Sequence, residues 1–276
     1  MKIPVLTYHS LDIHGNDYGN NDLVALKADL GAITRAGFRI APLHALVSRW
    51  LADRSSLDGE RLVALTCDDG TDFDYFDLPH PTAGVQRSVM NLLRDFERAN
   101  PGAQPSLHVT SFVIVSPLAR DKLDTTCMIG TKWWNDSWWR SAAESGRMGI
   151  ASHSWDHNHG TLDGEAVPGV PRGSFTVIDS EAAADYEIRQ AAAYLWRHAP
   201  NDSAILFGYP YGEANDFLRR EYLPRAGPEI GLAAALGSLH AELWTSGSDR
   251  WEIPRFTCRR DWKSPDDLQR ILDGAR

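Results

Sequence analysis

Two short runs hold most of the chemistry available to this chain: Leu65-Thr66-Cys67-Asp68-Asp69-Gly70 and Ala151-Ser152-His153-Ser154-Trp155-Asp156-His157. The first closes an apolar, β-rich stretch (Leu62-Val63-Ala64-Leu65) with two adjacent carboxylates and a glycine. The second closes another such stretch (Met148-Gly149-Ile150-Ala151) with two imidazoles at i and i+4. In α/β folds the carboxyl ends of strands are where reactive groups gather. Two carboxylates that close repel each other, so a cation or a shared proton is needed between them. One Asp and two His make an open three-ligand set, which suits a catalytic metal better than a structural one. The other Asp is left over to act as a base. These residues point to a metal-assisted hydrolase.

The elements that must position them can be read from periodicity. Ile3 to Tyr8 is a first strand ending at His9. Residues 22–36 place Leu23, Leu26, Leu30 and Ile33 at helical spacing and stop at Gly37. A short strand over 38–40 and a helix over 42–52 precede the Asp68 strand. Residues 84–99 read as a helix, 107–115 as a strand, and a short helix ends at Glu144. Residues 156–176 are Gly/Pro-rich and loop-like, and Asp179 is expected to cap a long Ala-rich helix reaching His198. Ile205-Leu206-Phe207 is a strand that runs into Gly208-Tyr209-Pro210-Tyr211-Gly212, and Ser264-Pro265-Asp266-Asp267 is a helix start. Strand and helix alternate throughout, which predicts a mostly parallel α/β sheet, closed or nearly closed into a barrel. With no repeat, linker or composition break, one domain over residues 1–276 is expected.

Composition narrows the classes. The 276 residues are 43% hydrophobic and 24% charged, as in a soluble globular protein. A net charge of −9 and the lack of a basic run argue against a nucleic-acid partner. The apolar runs fall short of membrane-spanning length. No charged region followed by an apolar core is present, so a cytoplasmic location is expected unless a leader was removed before the numbering. Cys67, Cys127 and Cys258 are odd in number and widely spaced, which fits a reduced compartment.

Thr66-Cys67-Asp68-Asp69-Gly70 resembles the T-F-D-D-G motif of the polysaccharide deacetylases, and His153-Ser154-Trp155-Asp156-His157 matches their H-[ST]-x-x-H motif. Tyr209-Pro210-Tyr211-Gly212 is similar to the tail of their R-x-P-Y-G motif, and Arg260-Asp261-Trp262 to the D-W end of a fourth. The resemblance runs in order from residue 3 to 262. It implies a distorted, incomplete (β/α) barrel of about seven strands, and hydrolysis of an N-acetyl group from an amino sugar or glycan. Carried over by position, it implies that Asp69, His153 and His157 hold one divalent metal, most simply Zn²⁺. Asp68 is then the base toward a metal-bound water, and the Tyr211 backbone N–H an oxyanion donor. Zinc lowers the pKa of its water to about 7, while a fixed carboxylate collects the proton.

The chain also departs from the pattern. Gly208 stands where the third motif has the Arg that orients the base, and Cys258 stands where the fourth begins with Asp. Arg255 could supply the guanidinium instead; it could equally be an Arg on a surface strand. The late motif with a catalytic His is missing after Trp262. A circularly rearranged branch of the family, which includes poly-N-acetylglucosamine deacetylases, opens with a strand ending in Y-H, and this chain opens with Val5-Leu6-Thr7-Tyr8-His9. His9 is accordingly assigned as the general acid, with His240 as its rival. His159 is an alternative ligand. Trp133, Trp134, Trp138 and Trp139 either line a sugar platform or pack a loop. Two other readings remain open: an amidohydrolase of this fold acting on a small cyclic amide or ureide, and a metal- or glycan-binding protein without catalysis.

Overall fold

The computed structural model describes residues 1–276. Eight parallel strands form its centre: β1 (Val5–Tyr8), β2 (Leu62–Cys67), β3 (Val109–Val113), β4 (Met148–Ser152), β5 (Leu206–Gly208), β6 (Ala234–Gly237), β7 (Ile253–Pro254) and β8 (Phe256–Thr257). Their order in space is β7-β6-β5-β4-β3-β2-β1-β8. The two outer strands, β7 and β8, are consecutive in the chain and parted only by Arg255. Residues 253–254 pair with β6 and residues 256–257 with β1, so one stretch of chain spans the seam of a nearly closed barrel. Counted as a single passing strand, it gives the seven-stranded barrel expected from the sequence. Arg39–Ile40 adds a short parallel pairing to the start of β2.

Period-two alternation sorts the strand residues. Val63, Leu65 and Cys67 join a cluster of 37 buried residues. In it they meet the helices Asp22–Arg35, Val89–Ala99 and Pro265–Gly274 on the outside of the sheet. Leu62 and Ala64 belong instead to a cluster with Val5, Phe112, Ala151, Leu206 and Ile253 inside the barrel. Trp50 of the helix Leu43–Ala52 and Trp244 close that cluster at the amino end of the strands. Towards the carboxyl end the interior turns polar, with the buried Thr7 and Thr66 hydroxyls 2.9 Å apart. Ile253, Arg255 and Thr257 share one face by the same alternation, which aims Arg255 into the barrel with no exposure at all.

Two element boundaries differ from those expected. The helix read over 84–99 begins only at Val89, because the Ser88 hydroxyl caps it by accepting the Asn91 N–H, and residues 84–86 pair with Leu78–His80 in a hairpin. The Ala-rich helix is capped by Ser180 rather than Asp179; it runs as a helical turn (Glu181–Ala184), a π turn (Asp185–Arg189) and a longer α segment (Gln190–His198). No helix is long and apolar enough to cross a membrane.

Candidate active site

The Asp68 N–H extends the β2 ladder to the Tyr8 carbonyl (3.0 Å), and alternation points its side chain inward above Ala64 and Thr66. Asp69 would point outward if the strand continued. Instead its backbone turns into the left-handed region (φ 73°), followed by Gly70 (φ 71°), where an added Cβ would meet Val113 at 2.4 Å. This turn brings two neighbouring carboxylates to one pocket.

The histidines arrive from β4. The His153 N–H extends the ladder to the Val113 carbonyl (2.9 Å). Its ring Nδ1 lies 2.8 Å from the Gly208 carbonyl, which can only accept, so Nδ1 carries the proton and Nε2 presents a lone pair. That Nε2 is 3.8 Å from Asp69 Oδ1 and 3.8 Å from Asp68 Oδ2. His157 returns to the same point through a loop with left-handed Ser154 (φ 69°), His157 (φ 66°) and Asn158 (φ 40°). Its Nε2 lies 3.9 Å from Asp69 Oδ1. Non-glycine residues in this region cost on the order of 1–3 kcal/mol each, and such strain clusters at functional sites.

The two aspartates differ in what surrounds them. Arg255 donates to both oxygens of Asp68, Nη1 to Oδ1 at 2.7 Å and Nη2 to Oδ2 at 2.9 Å. Burial alone would raise Asp68, but Arg255, then His153 and His9, outweigh it and hold the carboxyl below its usual value. Asp69 has no guanidinium or ammonium partner, and burial pushes it up despite His9 and His153. A largely buried carboxylate short of positive charge, facing two imidazole nitrogens, suits a cation. Asp69, His153 and His157 offer one oxygen and two nitrogens within 4.8 Å of one another. Donor atoms on a tetrahedral zinc with bonds of about 2.0–2.2 Å stand about 3.4 Å apart, so the Asp69 oxygen and each imidazole nitrogen need approach by only a few tenths of an ångström. The donor set therefore fits a divalent metal. A second group, His9, Asp12 and Asp22, has similar spacing, but Arg259 already pairs with both of its carboxylates.

His9 lines the same pocket as Asp68, Asp69, His153, His157 and Tyr211. Burial opposes its protonation, yet Asp69, Asp68, Asp12 and Asp22 together outweigh burial and raise its pKa. Protonation of His9 is thereby favoured relative to a free imidazole.

Neither the family models nor the curated proteins match this sequence. Solved structures do. The deacetylase PplD of Streptococcus pyogenes, solved with acetate, superposes with a TM-score of 0.63 at 16% identity, covering 99% of this chain and 98% of its own. A de-N-acetylase from Aggregatibacter actinomycetemcomitans gives 0.62 at 13%, covering 98% and 100%. A polysaccharide deacetylase from Bacillus cereus gives 0.60 at 13%, covering 99% of this chain and 69% of its own. The chain has the deacetylase fold.

Within that fold, the departures from the motifs have a steric explanation. A Cβ at Gly208 would come within 2.9 Å of Phe112 and 3.3 Å of His153 Nδ1, so no side chain enters there while that histidine keeps its bond to the Gly208 carbonyl. The guanidinium on Asp68 comes from the seam strand instead. Tyr211 lies in a left-handed turn (φ 59°) with its ring 4.5 Å from that of His157. His240 is exposed and lines a neighbouring cavity rather than this one. His159 reaches the pocket, but its Nε2 lies 3.7 Å from Cys127 Sγ and outside the donor triangle. The tryptophans pack the loop: Trp138 and Trp139 are buried, Trp133 stands edge-on to Phe73, and only Trp134 reaches the pocket, donating to the Asp69 carbonyl at 3.0 Å. Cys67 is buried in the outer core, as alternation requires. Sequence reasoning did not single out Asp12 and Asp22 beside His9, nor the buried Glu187 beneath the His157 loop.

Proposed function

We propose that this chain is a metal-dependent hydrolase that removes an N-acetyl group from an amino sugar or an amino-sugar glycan. The observation that carries the reading is the pairing of Asp68 with Arg255 beside the Asp69, His153 and His157 donors in one pocket. A pure binding protein has no use for a buried carboxylate held ionised next to a metal triad. The names of the structural relatives, and the motifs in their expected order, support the acetamide as the bond cleaved.

Asp69, His153 and His157 would hold a divalent ion, zinc by donor chemistry, which would act as a Lewis acid on the acetyl carbonyl and acidify the attacking water. Asp68 accepts the proton that this water loses as its oxygen bonds to the carbonyl carbon. Arg255 keeps that carboxylate ionised and fixes its direction through two parallel hydrogen bonds. The Tyr211 backbone N–H is assigned to the developing oxyanion, a contribution of about 3–4 kcal/mol for such donors. His9, raised by four carboxylates, donates a proton to the departing nitrogen as the C–N bond breaks, leaving acetate and a free amine. The cavity, about 280 Å³, is at the small end of ligand pockets, so it suits the reacting group and its ring, with the rest of a glycan outside.

Metal analysis of the purified protein, paired with a panel of N-acetylated sugars, tests this. Release of acetate from N-acetylglucosamine oligomers is expected. Turnover of cyclic amides or ureides alone would move the reading to a small-molecule amidohydrolase. Bound metal with no turnover of any amide would make the chain a binding protein.

A further inference from the structure

The loop carrying His157 is held from below by a residue outside every motif. The Trp155 N–H donates to the backbone carbonyl of Glu187 at 2.7 Å. The Asp156 N–H donates to Glu187 Oε2 and the Asn158 N–H to Glu187 Oε1, each at 3.2 Å. The remaining amide, that of His157, goes to the Ser154 hydroxyl at 2.9 Å. Glu187 thus accepts from three of the four consecutive amides around the second imidazole, sharing that of Asn158 with Asp156 Oδ1 at 3.0 Å, and it is only 2% exposed. It sits in the π turn (Asp185–Arg189) that interrupts the Ala-rich helix. Such turns are rare and occur often at functional sites.

We propose that Glu187 is a positioning residue for the His153–His157 loop, holding the left-handed backbone that brings the His157 imidazole to Asp69 and His153. The inference rests on the metal-site reading given above. Three left-handed non-glycine residues within five positions will not hold their conformation unaided, and a buried amide without an acceptor is costly. Asp156 completes the clamp from the loop side, since Arg172 reaches its Oδ1 at 2.7 Å and the Tyr186 hydroxyl its Oδ2 at 3.0 Å. Burial, and then the charge of Asp156, push Glu187 well up, so a neutral side chain of the same shape should serve in its place.

The test compares Glu187→Ala, Glu187→Gln and wild type by the dissociation constant for Zn²⁺ and, in the metal-free protein, by hydrogen exchange of the Asp156 and Asn158 amides. Outer residues that orient a ligand are worth about 10–100-fold in metal affinity. Glu187→Ala should lose that much and exchange the Asp156 amide faster, while Glu187→Gln, which keeps one acceptor oxygen for that amide and leaves the Asn158 N–H to Asp156 Oδ1, should stay within about threefold of wild type. Glutamine restores the packing as well as an acceptor, so Glu187→Met, which fills the same space but accepts no amide, is expected to behave like Glu187→Ala. Should Glu187→Ala fail to fold, Glu187→Asp, one methylene too short to reach both amides, is read the same way. Wild-type affinity in a folded Glu187→Ala or Glu187→Asp protein overturns the proposal. If wild type itself binds no zinc through Asp69, His153 and His157, the metal-site reading fails and this proposal with it.

Discussion

At the amino end of the strands, Trp50 and Trp244 meet edge to face at 5.2 Å, packed with Leu43, Leu46 and Val47. At the carboxyl end, the same strands deliver Asp68, Asp69, His153 and His157 to a pocket where Asp69, His157 and Tyr211 are left-handed. Two histidines, one at each end, shift in opposite directions. His9 at the mouth is raised because four carboxylates outweigh its burial. His108 on the floor is lowered to about 3, because burial has no carboxylate to oppose it and His44 adds a second imidazole. The floor is apolar and relaxed, and it supplies the stability that the strained, charged mouth consumes. Substitutions at the two ends should therefore be read out differently: function without stability above, stability without function below.

The largest effect is expected at the mouth. His153→Ala should remove both metal and turnover while the protein stays folded, because the floor and the outer core are untouched. Metal analysis decides it, and full metal occupancy in this variant would place the site elsewhere. Asp68→Asn comes next. It should retain metal, since Asp68 is held by Arg255 and stands outside the donor triangle, while turnover falls by about 10²–10⁴-fold, the usual worth of a general base. Loss of metal in Asp68→Asn would mean the two aspartates have exchanged roles.

The mouth was the more legible end. Asp68-Asp69 and His153 to His157 are contiguous runs after apolar strands, and local sequence is enough to bring each pair to one place. Arg255 was visible only as one of two alternatives, because nothing near it says which way it faces between two strands of two residues each. Its burial follows from Ile253 and Thr257 sharing its face across the seam. Glu187 left no local signal, as an acid in an Ala-rich helix reads as a solvated face until the helix is placed against the loop. The strand over Ala234–Gly237 was hidden for a different reason. Ala233-Ala234-Ala235 has helical propensity, but between β5 and β7 the backbone pairing on both sides overrides it. Residues 84–86 misled in the same way, since only their hairpin partner at 78–80 excludes them from the helix.

On the floor the expected effects move to stability. Trp50→Ala removes a side chain with no exposure and leaves Trp244 without its edge-to-face partner. Large-to-small core changes of this kind cost about 3–5 kcal/mol. Chemical denaturation should show that loss, with zinc affinity unchanged in the protein that remains folded. A fall in zinc affinity matching the fall in stability would show that floor and mouth are one cooperative unit rather than two.

The smallest effect sharpens the histidine contrast. His108 is 5% exposed, its Nδ1 has no partner, and its ring stands edge-on to that of His44 at 5.4 Å. His44 in turn holds the Ser203 hydroxyl at 3.0 Å, so neither ring can turn to solvent without breaking that contact. The folded pKa of about 3 lies below the ordinary value of 6.5. Above pH 6.5 the ring is neutral in both states and adds no pH dependence. Between 6.5 and 3 the unfolded chain takes up a proton that the fold refuses, so stability drops as the pH falls through that window. At pH 5 the loss amounts to about 2 kcal/mol, from about 1.4 kcal/mol per pH unit. His108→Gln should flatten this part of the curve in the metal-free protein, so that the gap between variant and wild type closes by that amount from pH 7 to pH 5. Denaturation of both proteins at the two pH values measures it. An unchanged gap would mean that His108 finds a proton or a water in the fold, and that the floor is not the dry counterpart of the mouth.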